Sequence, residues 1–204
     1  RSDTEVIVHG YKEWGEQVLD RLNGMFGLAI WDARERTLLV ARDAMGIKPV
    51  YYRLDGGACV FASEMRALLR GRDATDLDPV SLNLFLRYRY TPAPRTLCGG
   101  IRKLAAGTKL VIRHGTPRVS RWYRFQPAPL PARQNVREAK EELLHLYRGA
   151  LGRHLISDVP VGLLLSGGID SARLLALMNE RGRSWHTYTV GFGSSFAEEE
   201  LDDA

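Results

Sequence analysis

Lysine is scarce in this chain. It occurs at positions 12, 48, 103, 109 and 140, and none follows Lys140. The gap excludes a Walker loop from the last third of the sequence, because such a loop needs a lysine beside its final glycine to reach the outer phosphates of a nucleotide. Cysteine is scarcer still. Cys59 and Cys98 have neither metal-ligand spacing nor a disulfide framework, which fits inert core thiols in a reducing compartment. No run approaches the ~20 apolar residues of a membrane helix, and no basic-then-apolar leader precedes a cleavage site, so a cytoplasmic protein without a membrane partner is expected. Positive charge is not concentrated either: the net charge of +5 rests on scattered arginines, which argues against a nucleic-acid partner and leaves acidic small molecules compatible. His9, His114, His145, His154 and His186 show no metal spacing and no neighbouring nucleophile, and read as surface or core histidines.

What is present is most concentrated between Asp158 and Ser171. Apolar Val159 to Leu165, broken only by Gly162, stops at Ser166-Gly167-Gly168, and the helical pattern Ala172, Leu174, Leu175, Leu177, Met178 follows. This predicts a buried strand, a tight loop and a helix. Such a loop turns consecutive backbone N–H groups and a helix N-terminus towards one point, and its glycines clear room for a phosphate. A dinucleotide fingerprint would need a third glycine, which is missing. Asp170 lies inside the loop, where its charge would repel a bare polyphosphate unless a divalent cation stood between them. The expected ligand is therefore a metal-bound pyrophosphate group with Ser166 and Ser171 as hydroxyl donors. The plain alternative is a glycine-serine connection of the kind found in any α/β domain.

Along the chain, Ser2-Asp3-Thr4-Glu5 has the form of a capping box and predicts a helix carrying Val6, Ile7 and Val8. A second helix is expected over about 13–22, with Trp14, Val18, Leu19 and Leu22 on one face. Extended runs 25–31 and 38–42, then 50–54 and 58–62, predict two hairpins, and a short helix over 63–69 should end near Gly71. Asp78-Pro79 opens a helix to about Tyr88, and runs 109–113 and 118–122 suggest a hairpin around His114-Gly115. Pro127-Ala128-Pro129-Leu130-Pro131 is the clearest linker signal. Asn135-Val136-Arg137-Glu138 then opens a helix with the stripe Val136, Ala139, Leu143, Tyr147, Ala150, Leu151. A second strand over 185–190 would complete a βαβ unit, and a further helix is expected to begin near Leu201.

Ser166 to Ser171, preceded by Asp158-Val159-Pro160-Val161-Gly162, resembles the pyrophosphate loop of the ATP-pyrophosphatases, and specifically the synthetase half of the glutamine-dependent asparagine synthetase family. Residues 2–5, 23–32, 41–52 and 61–64 resemble the glutaminase half of the same family, and Ile101 to Leu104 and Arg121 to Tyr123 continue the likeness. The resemblance implies the end of an N-terminal-nucleophile αββα glutaminase sandwich over residues 1–71, an inter-domain connection over 72–134, and the start of a doubly wound parallel-sheet ATP-pyrophosphatase domain over 135–204. It implies ATP and Mg²⁺ as cofactors, and glutamine, aspartate and ATP as small-molecule partners. A homodimer is allowed. Asp3 would bind the α-amino group of glutamine. Ser166, Gly167, Gly168 and Ser171 would cradle pyrophosphate, Asp170 would hold the metal, and the backbone at Leu164 and Val190 would hold adenosine.

Each assignment has a structural counterpart. Asp3 could simply favour a helix dipole, Arg42-Asp43 could be an ion pair shaping a turn, and Lys48-Pro49 could start a strand. The chain departs from the family at the glutaminase nucleophile, an N-terminal cysteine whose own amine is the base. Residue 1 is Arg. No catalytic residue is therefore assigned, residues 1–204 alone are expected not to hydrolyse glutamine, and the chain reads as a piece of a longer protein. Rivals are relatives that amidate another carboxylate or close a β-lactam, and a nucleotide-binding module without catalysis.

Overall fold

The computed structural model describes residues 2–70, 76–127, 129 and 135–190. Gly71, most of the proline-rich linker and the helix expected near Leu201 lie outside them. The chain divides into two compact units, Arg1–Pro127 and Ala128–Ala204.

In the first unit, α1 (Asp3–Trp14) starts at an extended Ser2 with Asp3 and Glu5 in its first turn, as the sequence predicts. The cap itself differs. Ser2 makes no side-chain cap bond, and the Thr4 N–H donates instead to Asp3 Oδ1 at 2.8 Å. The helix expected over 13–22 is also corrected. Gly15 takes φ +56, a left-handed conformation that ends α1, and a 3-10 helix, Gly15–Arg21, follows and buries Val18 and Leu19. Trp14 thus closes α1, with the Arg21 guanidinium 4.3 Å above its ring.

The expected hairpins form. β1 (Gly27–Asp32) and β2 (Thr37–Arg42) pair antiparallel, as do β3 (Tyr51–Asp55) and β4 (Ala58–Ala62). α2 (Met65–Leu69) packs against the second hairpin, and α3 (Pro79–Tyr88) is capped by Asp78, which accepts the Val80 N–H. A two-residue strand that the sequence did not signal, β5 (Arg102–Lys103), joins β3. β6 (Thr108–Arg113) and β7 (Thr116–Arg121) form the third hairpin. The sheets run β1-β2-β6-β7 and β4-β3-β5. Residues 76–127, read as connection, therefore supply half of the larger sheet: β6 pairs with β2 in register, Leu39 opposite Val111.

Side-chain alternation makes the layers. From β2 and β6, Leu39, Ala41 and Val111 meet Val18 and Leu19 of the helical layer. Val40 and Leu110 point the other way and meet Tyr52 of the second sheet, with Val50 and Leu104. Leu39 is wholly buried between strand and helix. Leu39→Ala is expected to destabilise this unit by about 2–5 kcal/mol through lost burial and the cavity left; urea unfolding of the variant checks this.

The second unit begins with α4 (Val136–His154), whose Asn135 cap accepts from the Arg137 N–H at 2.7 Å and the Glu138 N–H at 3.4 Å. β8 (Gly162–Leu164), α5 (Ile169–Asn179) and β9 (His186–Tyr188) make the expected βαβ unit, with β8 and β9 parallel. α4 and α5 touch, and Arg148 grips Glu180 through two bonds of 2.7 and 2.9 Å. One expectation is corrected here. The strand is three residues long and buried on one side only: α5 packs on it and Leu163 is half-buried, while Leu164 is 74% and Val159, before the strand, 69% exposed, and among the described residues β8 pairs with β9 alone.

Candidate functional site

Two places collect the residues singled out by the sequence, one in each unit. In the first, α1 and the outer strand β1 flank a cleft of about 1250 Å³ whose lining includes Asp3, Tyr11, Phe26, Asp32 and Lys48. Asp3 is exposed in the first turn of α1, and among the described residues its carboxylate holds only its neighbour Thr4, at 2.8 Å from the backbone nitrogen and 3.4 Å from the hydroxyl. It retains acceptor capacity towards the cleft. Burial, then the negative charge of Asp32, push the Tyr11 phenol up, so this group enters the cleft as a neutral hydroxyl.

Arg42 and Asp43, at the end of β2, do not pair with each other. The Asp43 carboxylate, 1% exposed, accepts the N–H groups of Ile47 and Lys48 at 2.9 Å and of Phe26 at 3.3 Å. Arg42 donates to the carbonyls of Lys48, Gly46 and Leu104. The expected ion pair is thus replaced by two side chains that each satisfy backbone groups, of the turn over 46–48 and of Phe26 or Leu104 beside it. Lys48 does not open a strand; β3 begins at Tyr51. Cys59 is in β4 and Cys98 in an isolated bridge to Leu77, both half-buried, and the nitrogen of each is a peptide amide. Neither can be an N-terminal nucleophile.

In the second unit the loop expected after β8 has the anticipated shape. The Leu165 N–H donates to the Tyr188 carbonyl at 2.9 Å, so strand pairing continues one residue past β8. Gly167 then adopts φ +72, which requires glycine there. Gly168, at φ −75, caps α5 without a side chain, and a Cβ there would lie 3.4 Å from Ser166 Oγ. Among the described residues, no acceptor meets the N–H groups of Gly167, Gly168, Ile169 or Asp170. Four donors at the carboxyl end of a parallel strand form an anion seat.

The two serines sit together. Ser171 Oγ donates to the Gly168 carbonyl at 2.9 Å and lies 3.3 Å from both the nitrogen and the hydroxyl of Ser166. Its proton is engaged within the loop, whereas among the described residues the Ser166 hydroxyl is bound only to another hydroxyl. Asp170 is exposed in the first turn of α5. Leu164 ends β8, and Val190 lies two residues beyond β9, which puts both at the carboxyl ends of paired parallel strands. The sequence reading passed over Thr189, whose hydroxyl donates to the Leu165 carbonyl at 2.9 Å. Its signal was slight, a hydroxyl residue between Tyr188 and Val190 at a strand end.

No group of three or more His, Cys, Asp or Glu able to hold a metal occurs among the described residues. One exposed carboxylate beside an anion seat nevertheless fits Mg²⁺, which is commonly held by one or two carboxylates together with substrate phosphates. No described helix is long and apolar enough to cross a membrane.

The described residues thus hold an antiparallel unit with a carboxylate-bearing cleft and, in the same chain, a βαβ unit with an anion seat. Comparison with known proteins agrees. Residues 1–123 match the glutamine amidotransferase domain family, and residues 142–204 match the asparagine synthase family. Glutamine-hydrolysing asparagine synthetase 1 of Bacillus subtilis is 32% identical over 194 residues, covering 94% of this chain and 30% of that protein. Asparagine synthetase 2 of Arabidopsis thaliana, also glutamine-hydrolysing, is 33% identical over 206 residues, covering 95% of this chain and 30% of that protein. A Mycobacterium tuberculosis protein provisionally given the same description is 37% identical over 199 residues, covering 93% of this chain and 30% of its own length. The chain belongs to the glutamine-hydrolysing asparagine synthetase family, and it spans about 30% of the length of these curated relatives.

Proposed function

We propose that this chain is the joint region of an ATP-dependent ligase that makes asparagine from aspartate with ammonia drawn from glutamine. The first unit is the closing part of an N-terminal-nucleophile glutaminase sandwich. The second is the opening part of a doubly wound ATP-pyrophosphatase domain. The observation that carries the reading is the loop after β8, where four N–H groups that meet no acceptor among the described residues and the Ser166 hydroxyl stand beside the Asp170 carboxylate.

Aspartate cannot be amidated directly in water, because hydroxide is a poor leaving group. Attack of its side-chain carboxylate on the α-phosphate of ATP forms a mixed carboxylic–phosphoric anhydride, β-aspartyl-AMP, and breaks the bond between the α-phosphorus and pyrophosphate. Negative charge grows on the departing group in that step. The N–H groups of Gly167, Gly168, Ile169 and Asp170 are fixed donors for that charge, so they need no reorganisation as it develops. Ser166 and Ser171 line the same curve. Asp170 holds Mg²⁺, which when bound supplies compensating positive charge to the phosphates. The backbone at Leu164 and Val190 receives the adenosine at the strand ends. Ammonia then displaces AMP from the activated carboxyl.

In the first unit Asp3 takes the α-amino group of glutamine, and the neutral Tyr11 phenol, further along the same helix, also lines the cleft. The partners are small molecules, with no nucleic acid and no membrane, in the cytoplasm, and a homodimer is compatible. The test is pyrophosphate release by the full-length protein given ATP, Mg²⁺, aspartate and either ammonia or glutamine. Release that depends on aspartate is expected. Release absent with aspartate but present with another carboxylate overturns the substrate assignment, and absence with every carboxylate overturns the ligase.

A further inference from the structure

We infer that Thr189 is a positioning residue for the phosphate loop: its hydroxyl fixes the peptide plane from which the loop's donors are aimed. The inference rests on the reading that this loop receives the pyrophosphate of ATP. Leu165 is the last buried residue before the turn, 7% exposed, and both its backbone polar groups are held from the neighbouring strand. Its N–H donates to the Tyr188 carbonyl at 2.9 Å and its carbonyl accepts the Thr189 hydroxyl at 2.9 Å. The first bond is ordinary parallel-strand pairing. The second is not, because beyond Tyr188 a side chain takes over from the backbone ladder.

That carbonyl belongs to the Leu165–Ser166 peptide, and the nitrogen of the same peptide accepts no freedom either: it donates to Ser171 Oγ at 3.3 Å. Ser171 in turn donates to the Gly168 carbonyl at 2.9 Å, and Ala172 N–H donates to the same carbonyl at 3.0 Å. One peptide is thus pinned on its oxygen side by Thr189 and on its nitrogen side by Ser171, and the turn that follows it is closed on the first residues of α5. The unpaired N–H groups of Gly167, Gly168, Ile169 and Asp170 are presented by this closed ring. Removing the Thr189 hydroxyl leaves a half-buried carbonyl unpaired and frees the peptide to rotate, which swings the following donors away from a common focus. Thr189 itself touches no reacting atom in this arrangement.

Because donors must be aimed at the leaving group as its charge develops, a misplaced loop lowers turnover more than it lowers ground-state affinity. In the full-length protein, Thr189→Val keeps the shape of the side chain and removes the donor, while Thr189→Ser keeps the donor. Thr189→Val is expected to cut kcat for ATP-dependent pyrophosphate release by roughly ten- to a hundredfold with the KM for ATP changed less than kcat, and Thr189→Ser to restore most of it. If valine at 189 prevents folding, judged by circular dichroism and melting, Thr189→Ala replaces it in the same comparison. A donor-less variant with wild-type kcat, or a serine variant as impaired as the valine one, overturns the inference. A wild-type protein that releases no pyrophosphate removes the reading beneath it instead, so the two failures are told apart by the unmutated control.

Discussion

Asp170→Ala is expected to lower Mg²⁺-dependent ATP turnover by the full-length protein at least about a hundredfold, the scale on which a lost electrostatic contact to a leaving group is felt. The reason is the company this carboxylate keeps. It stands in the first turn of α5, beside four backbone donors that attract phosphate and would by itself repel it. Placed there without a metal it opposes the function of the loop, whereas with one it joins protein and nucleotide. The side chain is exposed, so its removal leaves no cavity and the fold should be unchanged. Asp170→Asn separates the charge from the shape. It should fail almost as badly, because a neutral amide is a weak Mg²⁺ ligand. Steady-state pyrophosphate release across a range of Mg²⁺ concentrations checks both, and wild-type rates in either variant would count against a metal at this position.

Asp3→Asn should separate the two halves of the reaction. The asparagine Oδ1 can still accept the Thr4 N–H that Asp3 accepts now at 2.8 Å, so the start of α1 is preserved. What is lost is the negative charge facing a substrate ammonium. A hydrogen bond to a charged group contributes about 1.5–3 kcal/mol, so the KM for glutamine should rise roughly ten- to a hundredfold. Synthesis driven by added ammonia should be untouched, because it bypasses the cleft. Kinetics with glutamine and with ammonia on the same preparation check this. An unchanged KM for glutamine would return Asp3 to the plainer role of an acidic residue at a helix N-terminus.

The sequence was most legible where local chemistry decides structure. Asp78-Pro79 and Asn135 cap helices as their side chains dictate, and each of the three hairpins turns where polar or glycine residues interrupt alternating strands. Ser166 to Asp170 were readable for the same reason, because a strand, two glycines and a helix start are contiguous and need no distant partner. Legibility failed where one residue or a distant strand decides. Gly15 sits inside an unbroken apolar stripe, and periodicity alone does not show that it will turn left-handed and convert the second helix into a 3-10 segment. β5 is two residues long and exists only because Tyr51 and Tyr52 offer it an edge. β6 and β7 were seen as a hairpin, but the pairing of β6 with β2 spans some seventy residues, and no local pattern announces it.

The same division applies to the candidate sites. Arg42 and Asp43 are adjacent and opposite in charge, which suggests a pair, yet the fold gives each a separate set of backbone partners. Thr189 was invisible because its partner Leu165 is 24 residues away, on the neighbouring strand. Contacts of this kind are made by topology. A parallel βαβ crossover brings the end of β9 beside the end of β8, and only then does a hydroxyl acquire a carbonyl to hold.

The most direct measurement is a crystal structure of the full-length protein with Mg²⁺, AMP and pyrophosphate bound. The pyrophosphate oxygens should lie within hydrogen-bonding distance, about 3 Å, of the N–H groups between Gly167 and Asp170, with the metal between them and the Asp170 carboxylate. Phosphates bound elsewhere, or a turn whose N–H groups point inward to the protein's own carbonyls, would contradict the account.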